Sequence, residues 1–298
     1  MKSKLVLIDA DGLCYHSSKE TLQESIEIID EKINNILEKT EATHYSLFIS
    51  NNPYFRHKID PLYKASRSKC SSSLKWLKTL KKYLVEGYNA NSMYLVEADD
   101  LVAYWFNKDL HIADDGKIEP REVFDDALDY CKQEKLDLFH YEPLEVIIAS
   151  PDKDLLQSIP GKHFNYTYRL EEKDNPGSLI KGWWVETEKK DCMKFQLMQL
   201  ICGDTTDGIK GIEGKGIKYF EKIYDSIEFY SFDTVLLQYI MTYGNSQGIY
   251  EFQKNYRLLH LLDCDRDFER EVGELPELPH INEVVNTQNE SLEQDNGF

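Results

Sequence analysis

The chain has 298 residues, 41% hydrophobic and 12% aromatic, with Lys+Arg 35 against Asp+Glu 53 and a net charge of −18. That is too apolar for a disordered chain, and long enough for one elaborated α/β domain or two smaller ones. No run approaches the ~18 apolar residues of a membrane span, and the start MKSKLVLIDADG predicts no signal peptide, so no membrane partner is expected.

Residues 4–8 (KLVLI) form a short apolar run ending at Asp9, the pattern of a buried parallel strand. Next comes TLQESIEIIDEKINNILEK, whose Ile26, Ile29, Ile33 and Ile36 are spaced three and four apart and predict an amphipathic helix. HYSLFIS (44–50) reads as a second strand. SSSLKWLKTLKKYL (71–84) opens with serines suited to a helix cap and carries Leu74, Leu77, Leu80 and Leu84 on one face. NSMYLVEADD reads as a third strand with a helix after it, and LEVIIAS (144–150) as a fourth strand. Beyond about residue 186 the pattern turns helical. From 271 it becomes acidic and Asn/Gln-rich, which predicts a mobile tail. The acidic segment 108–143 reads as a solvated helical insertion, with a partner site as the alternative.

Strand and helix in alternation predict a mainly parallel sheet with helices on both faces, and in such sheets the ligand site lies at the carboxyl ends of the strands. The six cysteines (Cys14, Cys70, Cys131, Cys192, Cys202, Cys264) are scattered without a C-x-x-C pair, and the eight histidines show no H-E-x-x-H. Neither a zinc ribbon nor a disulfide framework is expected, and the reading is a cytoplasmic protein.

An acidic chain argues against a nucleic-acid partner until its charge is mapped. From Arg56 to Lys82 nine basic residues, Lys64, Arg67 and Lys69 among them, face one acid, Asp60, for a net +8 over 27 residues. Such a run is often a solvated helix face, but its contrast with the rest of the chain favours a phosphate-facing segment.

The acids are also patterned. Asp9 closes the first strand, Glu97, Asp99 and Asp100 the third, and Asp152 and Asp154 follow the fourth. Asp204 and Asp207 lie in GDTTDG between two helices. Any one of these acids alone reads as a solvated helix-start residue. Together they repel one another and demand a cation. Oxygen-only ligation favours Mg²⁺ or Mn²⁺ over zinc, and two such ions suit phosphodiester hydrolysis. In GIKGIEGKGIKYF (208–220), Gly211, Gly214 and Gly216 permit close backbone approach ahead of a helix start, and Lys210, Lys215 and Lys218 add positive charge.

VEADD (96–100), SPDKDL (150–155) and GDTTDGIKGIEGKG (203–216), after a first strand ending at Asp9, together resemble the 5′-nuclease family. That family includes flap endonucleases, the 5′-nuclease domain of bacterial DNA polymerase I and bacteriophage 5′-exonucleases. FRHKIDPLYKASR (55–67) is similar to the segment leading into the family's helical arch. The resemblance spans roughly residues 4–220, and the chain's size is most like the short phage enzymes.

The resemblance implies a PIN-like sheet with an arch (about 55–88) and a helix–three-turn–helix element. The implied division is a catalytic core over 1–186, a helical DNA-binding region over 187–270 and the tail over 271–298. It makes Asp9, Glu97, Asp99, Asp100, Asp152, Asp154, Asp204 and Asp207 ligands of two Mg²⁺ or Mn²⁺ ions, and Lys64, Arg67, Asp152 and Asp154 catalytic. Arg56, Lys64, Arg67 and Lys69 would meet the DNA strand. Gly211, Gly214, Lys215, Gly216 and Lys218 would grip the duplex, with K⁺ at the loop. The implied substrate is DNA with 5′ ends or flaps, extending to RNA primers and RNA–DNA hybrids, cut by a phage-encoded monomer in replication, with the tail as a contact for a replication protein.

One departure stands out. The family carries an Asp at the end of the second strand, where this chain has Ser50, followed by Asn51 and Asn52. A neutral group there weakens one ion's site, and a DNA-binding protein with a degenerate metal site is therefore the alternative. LVLIDADG also fits the start of haloacid-dehalogenase-type phosphatases, with Asp9 as nucleophile, Asp11 as general acid and Ser50 holding phosphate. That reading gives no role to VEADD, SPDKDL or the glycine loop, and it needs a strand where the sequence before Gly203 reads as a helix.

Overall fold

The first strand feeds two cores at once. In β1 (Lys4–Asp9), Leu5 and Leu7 enter one apolar cluster and Val6 and Ile8 another, the period-2 alternation of a strand buried on both faces. The computed structural model describes residues 3–65, 75–171, 177–226 and 231–284.

After β1 come α1 (Asp11–Ser17), α2 (Leu22–Thr40) and β2 (His44–Phe48). Thr21 caps α2 by accepting from the Glu24 amide at 3.2 Å, and buried Ile29, Ile33 and Ile36 form its inner face. A short α3 (Arg56–Ile59) precedes α4 (Leu77–Tyr88), which seats Leu80 and Leu84 beside α2 in the core on that side of the sheet. The helix expected over 71–84 is thus seen from Leu77, and Leu74, Arg67 and Lys69 lie outside the described residues.

The expected third strand does not form. Its residues make two isolated parallel bridges, Asn91 to Phe48 and Leu95 to Tyr54, and α5 (Ala98–Asn107) begins directly after Glu97. Asp99 and Asp100 therefore sit in a helical first turn rather than at a strand end.

The 108–143 segment is more than a helix. β3 (Leu110–Ala113), β4 (Ile118–Pro120), α6 (Arg121–Glu134) and β5 (Tyr141–Pro143) build a small antiparallel sheet with one helix, in the order β4-β3-β5. Buried Phe124 on α6 stacks on Tyr141, and short alternating runs such as LHIA were too brief to be legible as strands.

β6 (Glu145–Ala149) pairs parallel with β1, and α7 (Lys153–Ser158) follows it. The long antiparallel hairpin β7 (Gly161–Leu170) and β8 (Leu179–Thr187) has no counterpart among the elements expected from the sequence. Then come α8 (Lys189–Cys202), the two-residue strands β9 (Gly203–Asp204) and β10 (Ile209–Lys210), α9 (Ile217–Ser226), α10 (Phe232–Tyr243), α11 (Asn245–Leu259) and α12 (Asp265–Glu271). A helix immediately before Gly203 denies the phosphatase reading the strand it needs.

The main sheet runs β11-β2-β1-β6-β7-β8, with parallel pairing from β2 through β7 and antiparallel edges. Its outer strand β11 (Asn282–Glu283) comes from the stretch expected as mobile tail. Ser46 donates to the His280 carbonyl at 2.8 Å and the Val284 amide to the Thr43 carbonyl at 2.9 Å, so backbone pairing holds a polar segment that hydropathy alone leaves loose. Residues 285–298 lie outside the described residues. No described helix is long and apolar enough to cross a membrane.

Candidate metal and nucleic-acid site

Parallel strands put β1 and β6 carboxyl ends side by side, and a cavity of about 790 Å³ opens there. Six of the eight predicted acids line it: Asp9, Glu97, Asp99, Asp152, Asp154 and Asp204. They arrive from four separate segments, which only the fold brings together. Asp207 adjoins the cavity through Tyr63, whose hydroxyl donates to it at 3.2 Å and to Glu97 at 3.0 Å.

Several of these acids are held by hydrogen bonds to other parts of the fold. Asp9 accepts from the Ser150 hydroxyl at 2.8 Å and from the Asp11 amide at 3.3 Å, and Tyr166 donates to its backbone carbonyl. Gly12 leaves room for this arrangement: a Cβ there would lie 2.5 Å from both Pro151 and the Tyr166 hydroxyl. Asp152 caps α7 by accepting from the Asp154 amide at 2.8 Å, while Asp154 accepts from Gln199 at 2.8 Å. Lys153 turns the other way and reaches Asp204 at 2.9 Å.

The electrostatics divide the acids into two groups. Burial, with Asp11 and Asp152 nearby, pushes Asp9 up to about 7. Burial and Asp152 do the same to Asp154, also to about 7. Asp99 is raised well above the usual carboxylate range by burial and by Glu97 and Asp100. By contrast, burial opposes ionisation of Glu97, yet Lys64 and Arg56 hold it below its ordinary value. Lys153 and backbone amides likewise overcome burial at Asp204.

Ligand atoms of Glu97, Asp99 and Asp100 lie within 4.8 Å of one another. Within that group Asp100 is the most committed: Arg56 grips both its oxygens, at 2.6 and 2.8 Å, and the Leu262 amide donates to it at 3.0 Å. The acids offer only oxygen ligands, although His16 and His57 also line the cavity, and three of the acids are pushed toward protonation by burial and by one another, which fits a hard divalent cation.

Arg56 corrects one expectation. It is 2% exposed, and its guanidinium is consumed by Asp100, Glu97 and the carbonyls of Leu258 and His260. It faces the interior, so it braces the acids instead of touching a DNA strand. Lys64 does enter the cavity. Its ammonium pairs with Glu97 and lies 3.7 Å from Asp207, and its amide donates to the Asp207 carbonyl at 2.9 Å.

The glycine loop does not line the cavity. Gly211 has an internal reason to be glycine, since a Cβ there would lie 2.2 Å from the Ile201 carbonyl, and Gly203 (φ +75°) faces it just as closely. Gly214 (φ +73°) and Gly216 border open space, and Lys218 is exposed. Lys215 is half-buried, with its ammonium on Gln238 at 3.0 Å.

Sequence reasoning gave no metal-site role to three residues of the cavity region: Asp11 and Lys153, which line it, and Lys81, which pairs with Asp11 at 2.6 Å. Asp11 and Lys153 each stand beside predicted ligands in the chain, which was a usable signal. Lys81 was one of nine cations in a run and nothing local singled it out.

No family model matches the sequence, and no curated protein matches it. Solved structures do. A bacteriophage T5 flap endonuclease, described as a pseudo-enzyme–product complex with DNA and metal ions, superposes with a TM-score of 0.52 at 15% identity, covering 91% of this chain and 92% of that one. The chain shares the fold of the 5′-nucleases. The T5 protein co-crystallised with metal ions gives 0.51 at 17% identity over the same shares of the two chains. T5 5′-exonuclease with bound zinc gives 0.50 at 17% identity, over 87% of this chain and 90% of that one. At such identities the likeness to the 5′-nucleases is one of fold, and the chemistry has to be argued from the cavity itself.

Proposed function

We propose that this chain is a divalent-metal-dependent 5′-nuclease that hydrolyses phosphodiester bonds at 5′ ends or flaps of DNA, RNA primers included. The observation that carries this reading is the joint one at the cavity: acids from four segments share it, and Asp9, Asp99 and Asp154 are all driven toward protonation by burial and by neighbouring carboxylates. Asp9, Glu97, Asp99, Asp152, Asp154, Asp204 and Asp207 would hold two Mg²⁺ or Mn²⁺ ions, with Asp100 fixed by Arg56 behind them. Held by these residues, such ions would supply a metal-activated water and charge stabilisation for an in-line displacement.

The chain's own residues supply the rest. Lys64, on the cavity wall, attracts and orients the phosphate, and Ser150 and Gln199 fix the Asp9 and Asp154 carboxylates. Arg67 and Lys69, which lie outside the described residues, are assigned by the same reading to contact with the DNA strand. Gly214, Gly216 and Lys218 present open backbone and charge to the duplex, with Lys215 and Gly211 shaping the loop and K⁺ a ligand for it. The core is assigned to 1–186 and the DNA-binding helices to 187–270. Replication in a phage-infected cytoplasm, a monomeric state and a protein partner at the tail complete the proposal.

Ser50 favours a second reading, a DNA-binding protein with a weakened metal site. The test is cleavage of a 5′-labelled flap duplex with Mg²⁺, Mn²⁺ or EDTA, beside an Asp152→Asn, Asp154→Asn protein. Metal-dependent products absent from that control support the nuclease. Tight binding without cleavage in either metal replaces it with the second reading.

A further inference from the structure

We infer that Asp11 supplies the carboxylate that the end of β2 lacks, so that the metal site is completed from the first turn of α1. The inference rests on the nuclease reading above and deepens it.

β2 lies directly beside β1, with Phe48 opposite Asp9, so the residues just past Phe48 border the cavity next to Asp9. Ser50 stands there, and its polar atoms already have partners inside the chain. Its hydroxyl oxygen accepts from the Ala98 amide at 2.8 Å, which caps α5. Its carbonyl accepts from Lys81 at 2.7 Å. Its amide donates to Asp11, with both carboxylate oxygens at 3.3 Å. Ser50 is therefore a structural hinge pin of this corner, and the carboxylate at the corner belongs to Asp11.

Asp11 is placed to act. It lines the same cavity as Asp9, Glu97, Asp99 and Asp152, and its side chain is 21% exposed. Its amide donates to Asp9, which holds the two acids on one turn. Lys81 on α4 pairs with it at 2.6 Å while also holding the Ser50 carbonyl, and so fixes the carboxylate's position. A carboxylate at the adjacent helix start keeps an anionic oxygen donor for a divalent ion at this corner, with Lys81 beside it.

The experiment is Mn²⁺ titration followed by electron paramagnetic resonance, with flap cleavage measured in parallel, on the unsubstituted protein, Asp11→Asn, Ser50→Asp and the double variant. Asparagine keeps an oxygen for the Ser50 amide and removes only the charge. Asp11→Asn should weaken Mn²⁺ binding by about 10- to 100-fold, and the added Ser50→Asp change should restore it. Unchanged Mn²⁺ affinity in Asp11→Asn overturns the inference, and so does a loss that Ser50→Asp fails to restore, while metal binding and cleavage by the unsubstituted protein keep the nuclease reading intact. Absence of Mn²⁺ binding in the unsubstituted protein overturns both.

Discussion

Arg56 and Asp100 face each other as a fork on a fork, with Nη1 to Oδ2 at 2.6 Å and Nη2 to Oδ1 at 2.8 Å, and neither side chain is more than 2% exposed. The same guanidinium reaches Glu97 at 2.8 Å, so one arginine bridges Asp100 behind the cavity to Glu97 on its wall. Removing it leaves Asp100 buried without its cation, while Glu97 keeps Lys64. Arg56→Met should therefore destabilise the fold by about 3–5 kcal/mol, and Arg56→Lys should not rescue it, because an ammonium cannot make the planar bidentate contact. Chemical denaturation measures both.

Lys64 makes a different prediction. Lys64→Met should lower single-turnover cleavage by about 100-fold while leaving the protein folded, since buried Glu97 keeps its contact with Arg56. Circular dichroism and cleavage of the labelled flap together separate this outcome from the Arg56 one.

Stability of the metal-free protein should depend on pH with an unusual sign. Asp9 and Asp154 sit near 7 in the folded chain, above the ordinary carboxylate value of about 4 in an unfolded one. Between those limits the folded state holds more protons, so these two groups make the protein less stable as pH rises from about 4 to 7, with no further change above. Glu97 and Asp204 are shifted down, and their contribution is lost only in stronger acid. Mg²⁺ or Mn²⁺ should raise Tm more at pH 8 than at pH 5.5, because at the lower pH the ion must first displace protons. A Tm series at several pH values, with and without metal, checks the sign.

The two lysines of the glycine loop should part company. Lys218→Ala should reduce the slope of log affinity against log salt by about 0.9. Lys215→Ala should move that slope less, since its ammonium is already engaged by Gln238.

The glycines should divide in the same way. Gly211→Ala forces a Cβ to within 2.2 Å of backbone and should cost about 3 kcal/mol or more, whereas Gly216→Ala meets open space and should cost about 1 kcal/mol or less. Thermal unfolding of the pair decides this.

The alternation of Leu5, Val6, Leu7 and Ile8, the isoleucines of α2 and the acid clusters around Asp9, Glu97 and Asp152 were all readable in the chain, because each is a local pattern with a fixed period or position. That sufficed for a mainly parallel α/β sheet and for the acids of the cavity. β11 was illegible, since Asn282 and Glu283 are held by backbone pairing with β2 and carry no apolar signal. The third strand failed for the opposite reason: its local sequence is strand-like, but only two of its residues meet partners.

Long-range pairing also assigned the charges. Sequence determined that Arg56, Lys64 and Lys81 are cations and that Asp9, Asp11 and Asp100 are acids. Only the tertiary structure decided that Arg56 turns inward to Asp100, that Lys64 enters the cavity and that Lys81 joins Asp11 to Ser50. A charge's role depends on burial and on which opposite charge lies within a few ångströms, and residues 31 to 70 positions apart in the chain acquire that distance only on folding.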